Sequence, residues 1–158
     1  MVERRRHKRK PKSKKKKADK PKPLPIPPGH DPGTTPGGGV GAFVACARAQ
    51  LGKRYVWATA GPDTFDCSGL VSYCYHQATG QAITRSSHGQ YLLGVSVPLG
   101  WLPGDLLFWD TMGDGAGHVG VYVGSNRVVS AFNAQRGVIE TAADGNYGGP
   151  YIGARRIL

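Results

Sequence analysis

The sequence predicts an α+β domain in which N-terminal helices pack on an antiparallel β-sheet. The chain has 158 residues, the length of one ordinary domain rather than two. Beyond residue 39, apolar residues first recur at helical spacing and then, from about residue 105, at the alternating spacing of strands. Helices that come first and antiparallel strands that follow are typical of the α+β class.

The first 39 residues differ sharply in composition from the rest. They hold 13 of the 21 lysines and arginines and 3 of the 10 acidic residues, a net charge of +10, whereas residues 40–158 carry +1. All aromatic residues and all three cysteines lie beyond residue 39. A segment without large apolar groups cannot offset its ordering entropy by burial. We therefore predict a basic, Pro/Gly-rich tail and linker at 1–39 and a folded domain at 40–158.

The tail itself has two parts with different expected properties. The run from Arg4 to Lys22 is dominated by basic residues and is expected to seek a polyanion: nucleic acid, an anionic wall polymer or an acidic partner surface. No aromatic residue interrupts it, so base stacking is not supported. The alternative is a solvated arm. Residues 21–39 are rich first in proline and then in glycine, a composition typical of a linker.

Targeting and redox signals are few. The basic N-terminus is not followed by an apolar stretch, so we expect no secretory signal peptide. No window approaches 18 consecutive apolar residues, which predicts no membrane span. The odd number of cysteines argues against a complete disulfide framework and leaves at least one free thiol.

Two helices and a short third one are expected in the first part of the domain. The spacing of apolar residues predicts helices over 40–52 and 67–79, the second ended by Gly80, and a short helix over 86–93. Residues 54–61 are expected to be extended or looped.

Five strands are expected to follow. Period-2 patterns predict a turn at 124–126, which joins the second and third strands as a hairpin, and strands over 105–110, 118–123, 127–132, 138–141 and 152–158.

Cys67 is the first candidate for chemistry, because it stands at the predicted start of the second helix. The amide groups and dipole at that end favour a thiolate, and the same amides can hold an oxyanion. The alternative is a buried structural cysteine. That reading suits Cys74, two turns further along the helix, and Cys46 on the first helix.

A cysteine nucleophile needs a base, and His118 is the best-placed of the five histidines. It begins a predicted strand directly after the glycine-rich stretch 113–117. His7 and His30 lie in the tail, His76 lies too far along the second helix, and His88 is expected in an exposed polar turn.

Four segments, in the same order, resemble the NlpC/P60 cell-wall peptidases. They are Tyr55-Val56-Trp57 with Phe65-Asp66-Cys67-Ser68-Gly69-Leu70-Val71, then Thr84-Arg85-Ser86-Ser87 with Gln90, then Leu102-Pro103-Gly104-Asp105-Leu106 with Phe108-Trp109, and His118-Val119-Gly120-Val121-Tyr122-Val123-Gly124. The resemblance covers residues 41–158. It implies a papain-like α+β fold, cleavage of peptidoglycan stem peptides between D-γ-glutamyl and a diamino acid, and no metal or organic cofactor.

The resemblance also implies roles for particular residues. Cys67 becomes the nucleophile and His118 the base. Tyr55, Asp66 and Ser68 match positions that line the substrate cleft; Asp66 would bind a substrate amine or amide, and Tyr55 would donate to a carbonyl or to the oxyanion. The alternatives are packing for Tyr55 and helix capping for Asp66. Arg85 is treated as structural rather than functional.

The sequence departs from the family at the residue that orients the base. The family usually places a polar side chain, often histidine, on the strand after the base, and here that position falls on Ser130. Asn133 is a substitute, but strand parity points it to the opposite face. A serine there predicts a lowered rather than an abolished rate, and both a slow and a degenerate enzyme stay open.

The function expected from these residues is a thiol peptidoglycan endopeptidase that acts at the bacterial cell wall. Three alternatives stay open: an amidase that cuts where the stem peptide joins the sugar, a virion tail component that binds wall without cutting, and a nucleic-acid-binding protein. Bacterial peptidoglycan is the expected partner. The absent signal and the appended tail also suggest bacteriophage delivery, with virion tail proteins as partners.

Overall fold

A computed structural model describes residues 38–158. Three helices and eight strands follow one another in this order: α1 (Val40–Ala49), β1 (Arg54–Tyr55), β2 (Thr64–Phe65), α2 (Cys67–Thr79), α3 (Ser87–Gln90), β3 (Val95–Ser96), β4 (Leu106–Trp109), β5 (His118–Gly124), β6 (Arg127–Asn133), β7 (Gly137–Ala142) and β8 (Tyr151–Arg156). The predicted tail and linker, 1–39, lie outside the described residues except for Gly38 and Gly39.

The strands form a six-stranded antiparallel sheet in the order β3-β8-β4-β5-β6-β7. This confirms the predicted α+β class. All five strands expected from alternation are present, each within a few residues of its expected bounds. Three strands were missed: β3, and the pair β1 and β2, which form a separate parallel ladder. Each has two residues, too few for a period to show.

The turn between β5 and β6 has the conformation that its residues predict. Ser125 and Asn126 have φ of 51° and 57°, so both central positions of the hairpin are left-handed. Two successive left-handed residues match the right-handed twist of the flanking strands, and asparagine tolerates that conformation better than most residues. The turn therefore sets the register in which β5 and β6 face each other.

Helices α1 and α2 cover one face of the sheet. Phe43 of α1 is fully buried and meets the ring of Tyr75 of α2 edge-on, with ring centroids 6.4 Å apart. Beneath the helices lie Val119 and Val121 of β5, also fully buried. Burying one such side chain contributes roughly 2–3 kcal/mol, so this contact holds α2 firmly against β5.

A disulfide between Cys46 and Cys74 joins α1 to α2, with their Cα atoms 5.4 Å apart. The sequence predicted a structural role for both cysteines on their helices, but it did not predict that they pair. Helical periodicity shows which side of its own helix each cysteine occupies, but not that the two sides face each other. Cys67 is a free cysteine, as the odd count required.

The opposite face of the sheet carries a layer of aromatic side chains. Trp109 of β4 stacks on Tyr147, with ring centroids 3.7 Å apart, and Phe132 of β6 lies 5.6 Å from the same tyrosine ring. This layer matters for the site, because the side chain of His118 lies within it. In the part of the chain that the structure describes, no helix has the length and apolarity needed to cross a membrane.

Candidate active site

Cys67 is the first residue of α2, as the sequence predicted. Its side chain is largely buried, with 8% of the residue exposed. The backbone amides of Val119, Ser68 and Cys67 itself point at the sulfur. Burial raises the pKa of the Cys67 thiol above its usual value and outweighs these amides, which lower it. In the free protein the thiol is therefore held in its neutral form.

Asp66 caps α2 and holds the preceding loop. Its Oδ1 accepts from the amide of Gly69 at 2.7 Å, and its Oδ2 accepts from the amide of Ala58 at 2.9 Å. Such a cap satisfies one of the unpaired amides of the first turn and is worth about 1 kcal/mol. Both carboxylate oxygens are occupied within the domain, which favours the capping role over direct binding of a substrate amine.

Arg85 ties three parts of the site together, and these contacts are structural, although the sequence did not show which groups it would meet. Its Nη2 donates to Asp66 Oδ2 and to the Thr59 carbonyl, both at 2.8 Å, while its Nη1 donates to Ser68 Oγ at 2.9 Å. The signal was present in the segment that resembles the family, but Arg85 lies 17 residues from Ser68, so spacing alone could not place it. The guanidinium fork satisfies the cap and the hydroxyl together.

We expect Arg85→Lys to lower the free energy of unfolding by about 1–2 kcal/mol, because an ammonium cannot reproduce the fork and leaves the Thr59 carbonyl or the Ser68 hydroxyl unpaired. The side chain is 42% exposed, so water replaces part of what is lost. Chemical denaturation measures the change. Arg54→Lys, at an exposed arginine of β1, is the matched control. Equal stability of both variants with the wild type would show that the fork contributes nothing.

Cys67 opens into a cleft with a volume of about 320 Å³. The cleft is bounded by the first turn of α2, by α3 and by the loop that precedes β5. Two of the side chains that line the cleft are apolar and exposed: Trp57 is 75% exposed and Met112 71%. Its lining is completed by Ala58, Asp66, Cys67, Ser68, Arg85, Ser86, Ser87, His88 and Gly117.

Tyr55 lies on β1 near Cys67, and His88 lies in the cleft, where the sequence did not predict it. Tyr55, on β1, is close enough to Cys67 and Asp66 to interact with them electrostatically; burial first, and those interactions next, raise the pKa of the Tyr55 phenol. His88, expected to be merely exposed, lines the cleft, and its Nε2 lies 3.4 Å from Asp114 Oδ1. The sequence offered no signal for that contact, which joins α3 to the loop before β5.

His118 begins β5 and lies among aromatic rings. The centroids of Trp109, Phe132 and Tyr147 are between 5.7 and 5.9 Å from its imidazole. Its Nε2 is buried and has no hydrogen-bond partner among the described residues. This burial lowers the pKa of His118 from 6.5 to about 4, because a charged imidazolium is poorly solvated there. The imidazole is therefore neutral at physiological pH.

The fold brings Cys67 against the backbone at the start of β5, the strand that begins with His118. The sulfur meets the amide of Val119, the residue that follows the histidine, because α2 packs across β5. On the neighbouring strand, Ser130 of β6 faces Gly120: a Cβ added at Gly120 would lie 3.2 Å from the serine Cβ. Gly120 follows His118 by two residues on β5, so Ser130 and His118 share one face of the sheet. Like His118 Nε2, the Ser130 Oγ is buried without a partner among the described residues.

Asn133, the alternative to Ser130, is used elsewhere. Its Oδ1 accepts from the amides of Gln135 and Arg136, at 3.1 and 2.9 Å, and so caps the turn after β6. This geometry favours Ser130 as the neighbour of the imidazole. In the described part of the chain, 38–158, no group of three or more potential metal ligands comes together.

We expect the stability of the protein to fall as the pH is lowered from about 6.5 to about 4. His118 has a pKa of 6.5 in the unfolded chain and of about 4 in the folded protein. Between these two pH values the unfolded chain therefore binds a proton at this position and the folded protein does not. The shift corresponds to about 3 kcal/mol, fully present above pH 6.5 and lost at pH 4. Denaturation across this range measures it. His118→Leu should flatten the slope, whereas His76→Ala, at an exposed histidine of α2, should not. An unchanged slope in the leucine variant would contradict the assignment.

Comparison with known proteins identifies the family to which this domain is similar. A model of the NlpC/P60 family matches residues 52–156. The probable endopeptidase p60 of Listeria grayi is 38% identical over 112 residues, which are 70% of this chain and 21% of that protein. Murein DD-endopeptidase MepH of Escherichia coli (strain K12) is 38% identical over 115 residues, 69% of this chain and 42% of that protein. The chain thus spans less than half the length of either relative.

Solved structures show the same fold. An NlpC/P60 family protein from Bacillus cereus aligns with a TM-score of 0.69 at 32% identity, over 75% of this chain and 40% of that one. RipD from Mycobacterium tuberculosis, described as a non-catalytic NlpC/p60 domain protein adapted to peptidoglycan binding, aligns with a TM-score of 0.62 at 27% identity, over 75% of this chain and 97% of that one. By its motifs, its fold and the match to the family model, the chain belongs to the NlpC/P60 family.

Proposed function

We propose that this domain is a cysteine peptidase that hydrolyses an amide bond in the peptide part of bacterial peptidoglycan. The observation that carries the proposal is the position of Cys67, a free thiol at a helix N-terminus, in a cleft and beside the strand that begins with His118. Membership of the NlpC/P60 family and the endopeptidase names of its relatives support the substrate class.

The proposed reaction begins from a neutral pair. His118 accepts the thiol proton as the sulfur attacks the scissile carbonyl carbon, and a tetrahedral oxyanion forms. The backbone amides of Cys67 and Ser68, which point at the sulfur, are placed to donate to charge that develops beside it. The C–N bond then breaks, the imidazolium protonates the departing amine, and a thioester remains. Water, deprotonated by His118, hydrolyses the thioester and restores the thiol.

In this scheme Ser130 is the positioning residue for His118. Its Oγ is buried on the same face of the sheet, opposite Gly120, which lies two residues along β5 from His118. A hydroxyl oxygen can accept a hydrogen bond from a ring N–H. A serine side chain is shorter than the histidine that the family usually has there. We therefore propose a base that is held less firmly, and a lower turnover, rather than an inactive domain.

We propose that the bond cleaved is the one between D-γ-glutamyl and the diamino acid, which the resemblance to the family implies. The relative in Escherichia coli is named a DD-endopeptidase, which is a different specificity within the same family. Digestion of purified peptidoglycan, with the products read by mass spectrometry, distinguishes the two, because each cut leaves fragments of different mass. Release of intact stem peptides from the glycan would instead identify an amidase.

A second candidate function is peptidoglycan binding without cleavage. The similarity to RipD, a non-catalytic protein of the same fold, gives this alternative its weight, and so does the unpartnered pair of His118 Nε2 and Ser130 Oγ. Sedimentation of the protein with insoluble peptidoglycan tests it. Binding without the release of any fragment from several wall types would support the binding function and contradict the peptidase.

A further inference from the structure

On the face of the sheet turned away from α1 and α2, apolar side chains reach the surface. We call this surface the aromatic patch and define it by the rings of Trp101, Tyr122 and Tyr151, together with the exposed Leu99 and Leu102 that flank Trp101 in the sequence. Leu99 is 87% exposed, Leu102 55% and Tyr151 41%. The ring of Trp101 joins the other two aromatic rings, 5.7 Å from that of Tyr122 and 5.4 Å from that of Tyr151. Contiguous exposed apolar surface of this kind is typical of a binding site.

The polar atoms of the aromatic patch are already used inside the domain. Trp101 Nε1 donates to the Tyr151 hydroxyl at 3.2 Å, and the Tyr122 hydroxyl accepts from the amide of Asn126 at 3.2 Å. These bonds hold the rings in place and leave their apolar faces outermost. The patch is therefore suited to an occupant that offers rings or aliphatic groups to it.

Helix α1 begins at the end of the sheet where the turn after Leu102 lies. A Cβ added at Gly104 would meet Val40 Cγ1 at 2.8 Å, so the start of α1 lies against the turn that follows Leu102. The amide of Gly39 also donates to the carbonyl of Ala78 at 3.3 Å, which fixes the point where α1 begins. The chain therefore enters α1 close to the turn that follows Leu102.

The sequence before this tether contains one segment with matching chemistry. Residues 21–28 read PKPLPIPP, and Leu24 and Ile26 are the only large branched aliphatic residues between Val2 and Val40. Proline-rich peptides bind aromatic-lined grooves at a small entropic cost, because their backbone is already restricted. Residues 29–37 can span about 30 Å, and a tether of that length gives an effective concentration on the order of 1 mM.

We propose that the aromatic patch is the binding site of the proline-rich segment 21–28 of the same chain. The exposed aromatic rings, the tether at Gly39 and the paired aliphatic residues of the segment carry this inference independently of the peptidase chemistry. The occupants that the test must distinguish from this segment are a second copy of the chain and the glycan strand of the wall.

The test compares full-length chains by NMR. Leu24→Ser with Ile26→Ser should shift the indole N–H signal of Trp101, identified with Trp101→Phe, together with the amides of residues 99–104. The indole signal of Trp57, in the cleft, should stay unchanged. Lys14→Ser with Lys16→Ser, in the basic run, is the matched control and should shift neither signal. A synthetic peptide of residues 20–29, added to the Leu24/Ile26 variant, should restore the wild-type position of the Trp101 signal.

Three results would overturn the proposal. The first is an unchanged Trp101 signal in the Leu24/Ile26 variant. The second is a Trp101 shift that depends on protein concentration and vanishes on dilution, which would identify a second copy as the occupant. The third is an N-acetylglucosamine tetramer that shifts the Trp101 signal equally in the wild type and in the variant, because a bound segment would have to compete with it.

Discussion

Cys67→Ala is expected to abolish the release of peptide fragments from peptidoglycan while leaving the domain folded. Without the sulfur no thioester can form, and loss of a nucleophile of this kind lowers turnover on the order of 10³-fold or more. The fold should persist because the cap by Asp66, the Arg85 contacts and the core beneath α2 do not involve the thiol. Digestion followed by mass spectrometry of the soluble products measures the effect.

The control for this result is His76→Ala, which changes an exposed residue on the same helix, away from the cleft. It should release fragments at the wild-type rate. Circular dichroism and denaturation should show that all three proteins are folded. A Cys67→Ala variant that still releases the same fragments would refute the thiol mechanism, whatever the stability of the protein.

Loss of the disulfide between Cys46 and Cys74 is expected to lower the free energy of unfolding by about 3–4 kcal/mol. The bond closes a loop across a sequence separation of 28 residues, and the chain-entropy model gives a stabilisation of about that size for such a loop. This is a large share of the stability of a domain of this length. The same bond ties α1 to the helix that begins with Cys67, so reduction should also loosen the cleft.

Guanidinium denaturation, with and without a reductant, measures the contribution of the disulfide. The double variant Cys46→Ala with Cys74→Ala is the control, because it should be as unstable as the reduced wild type and should not respond to the reductant. Disulfides persist in oxidising surroundings, which is consistent with a protein that acts at the cell wall. A stability unaffected by both treatments would contradict the structural role of the bond.

The local structure around the site could be predicted because short-range patterns encode it. Helix α2 runs from Cys67 to Thr79, as its apolar stripe and Gly80 indicated, and Gly80 adopts the left-handed conformation of a helix end. The position of His118 at the start of β5 followed from alternation in the same way. Parity along β5 and β6 also placed Ser130 on the face of His118. Asn133 lies beyond a register shift after Ala131, and its side chain caps the next turn.

Contacts between distant parts of the chain could not be predicted in this way. The disulfide, the hydrogen bonds of Arg85 and the approach of His88 to Asp114 all join segments whose own patterns say nothing of each other. The pairing of β1 with β2 belongs to the same group, since two-residue strands have no period at all.

By itself, the sequence determined the α+β class and the spans of α2 and the main strands, because helical and strand periods specify how each element turns its own side chains. The candidate pair Cys67 and His118 came from the resemblance to the family. Only the tertiary structure decided that Arg85 braces the cap, that Cys46 meets Cys74, and that His118 lies among aromatic rings that lower its pKa to about 4. The physical reason is that hydrogen bonds, disulfides and desolvation depend on distances in space, and those distances are set when α1 and α2 pack on the sheet.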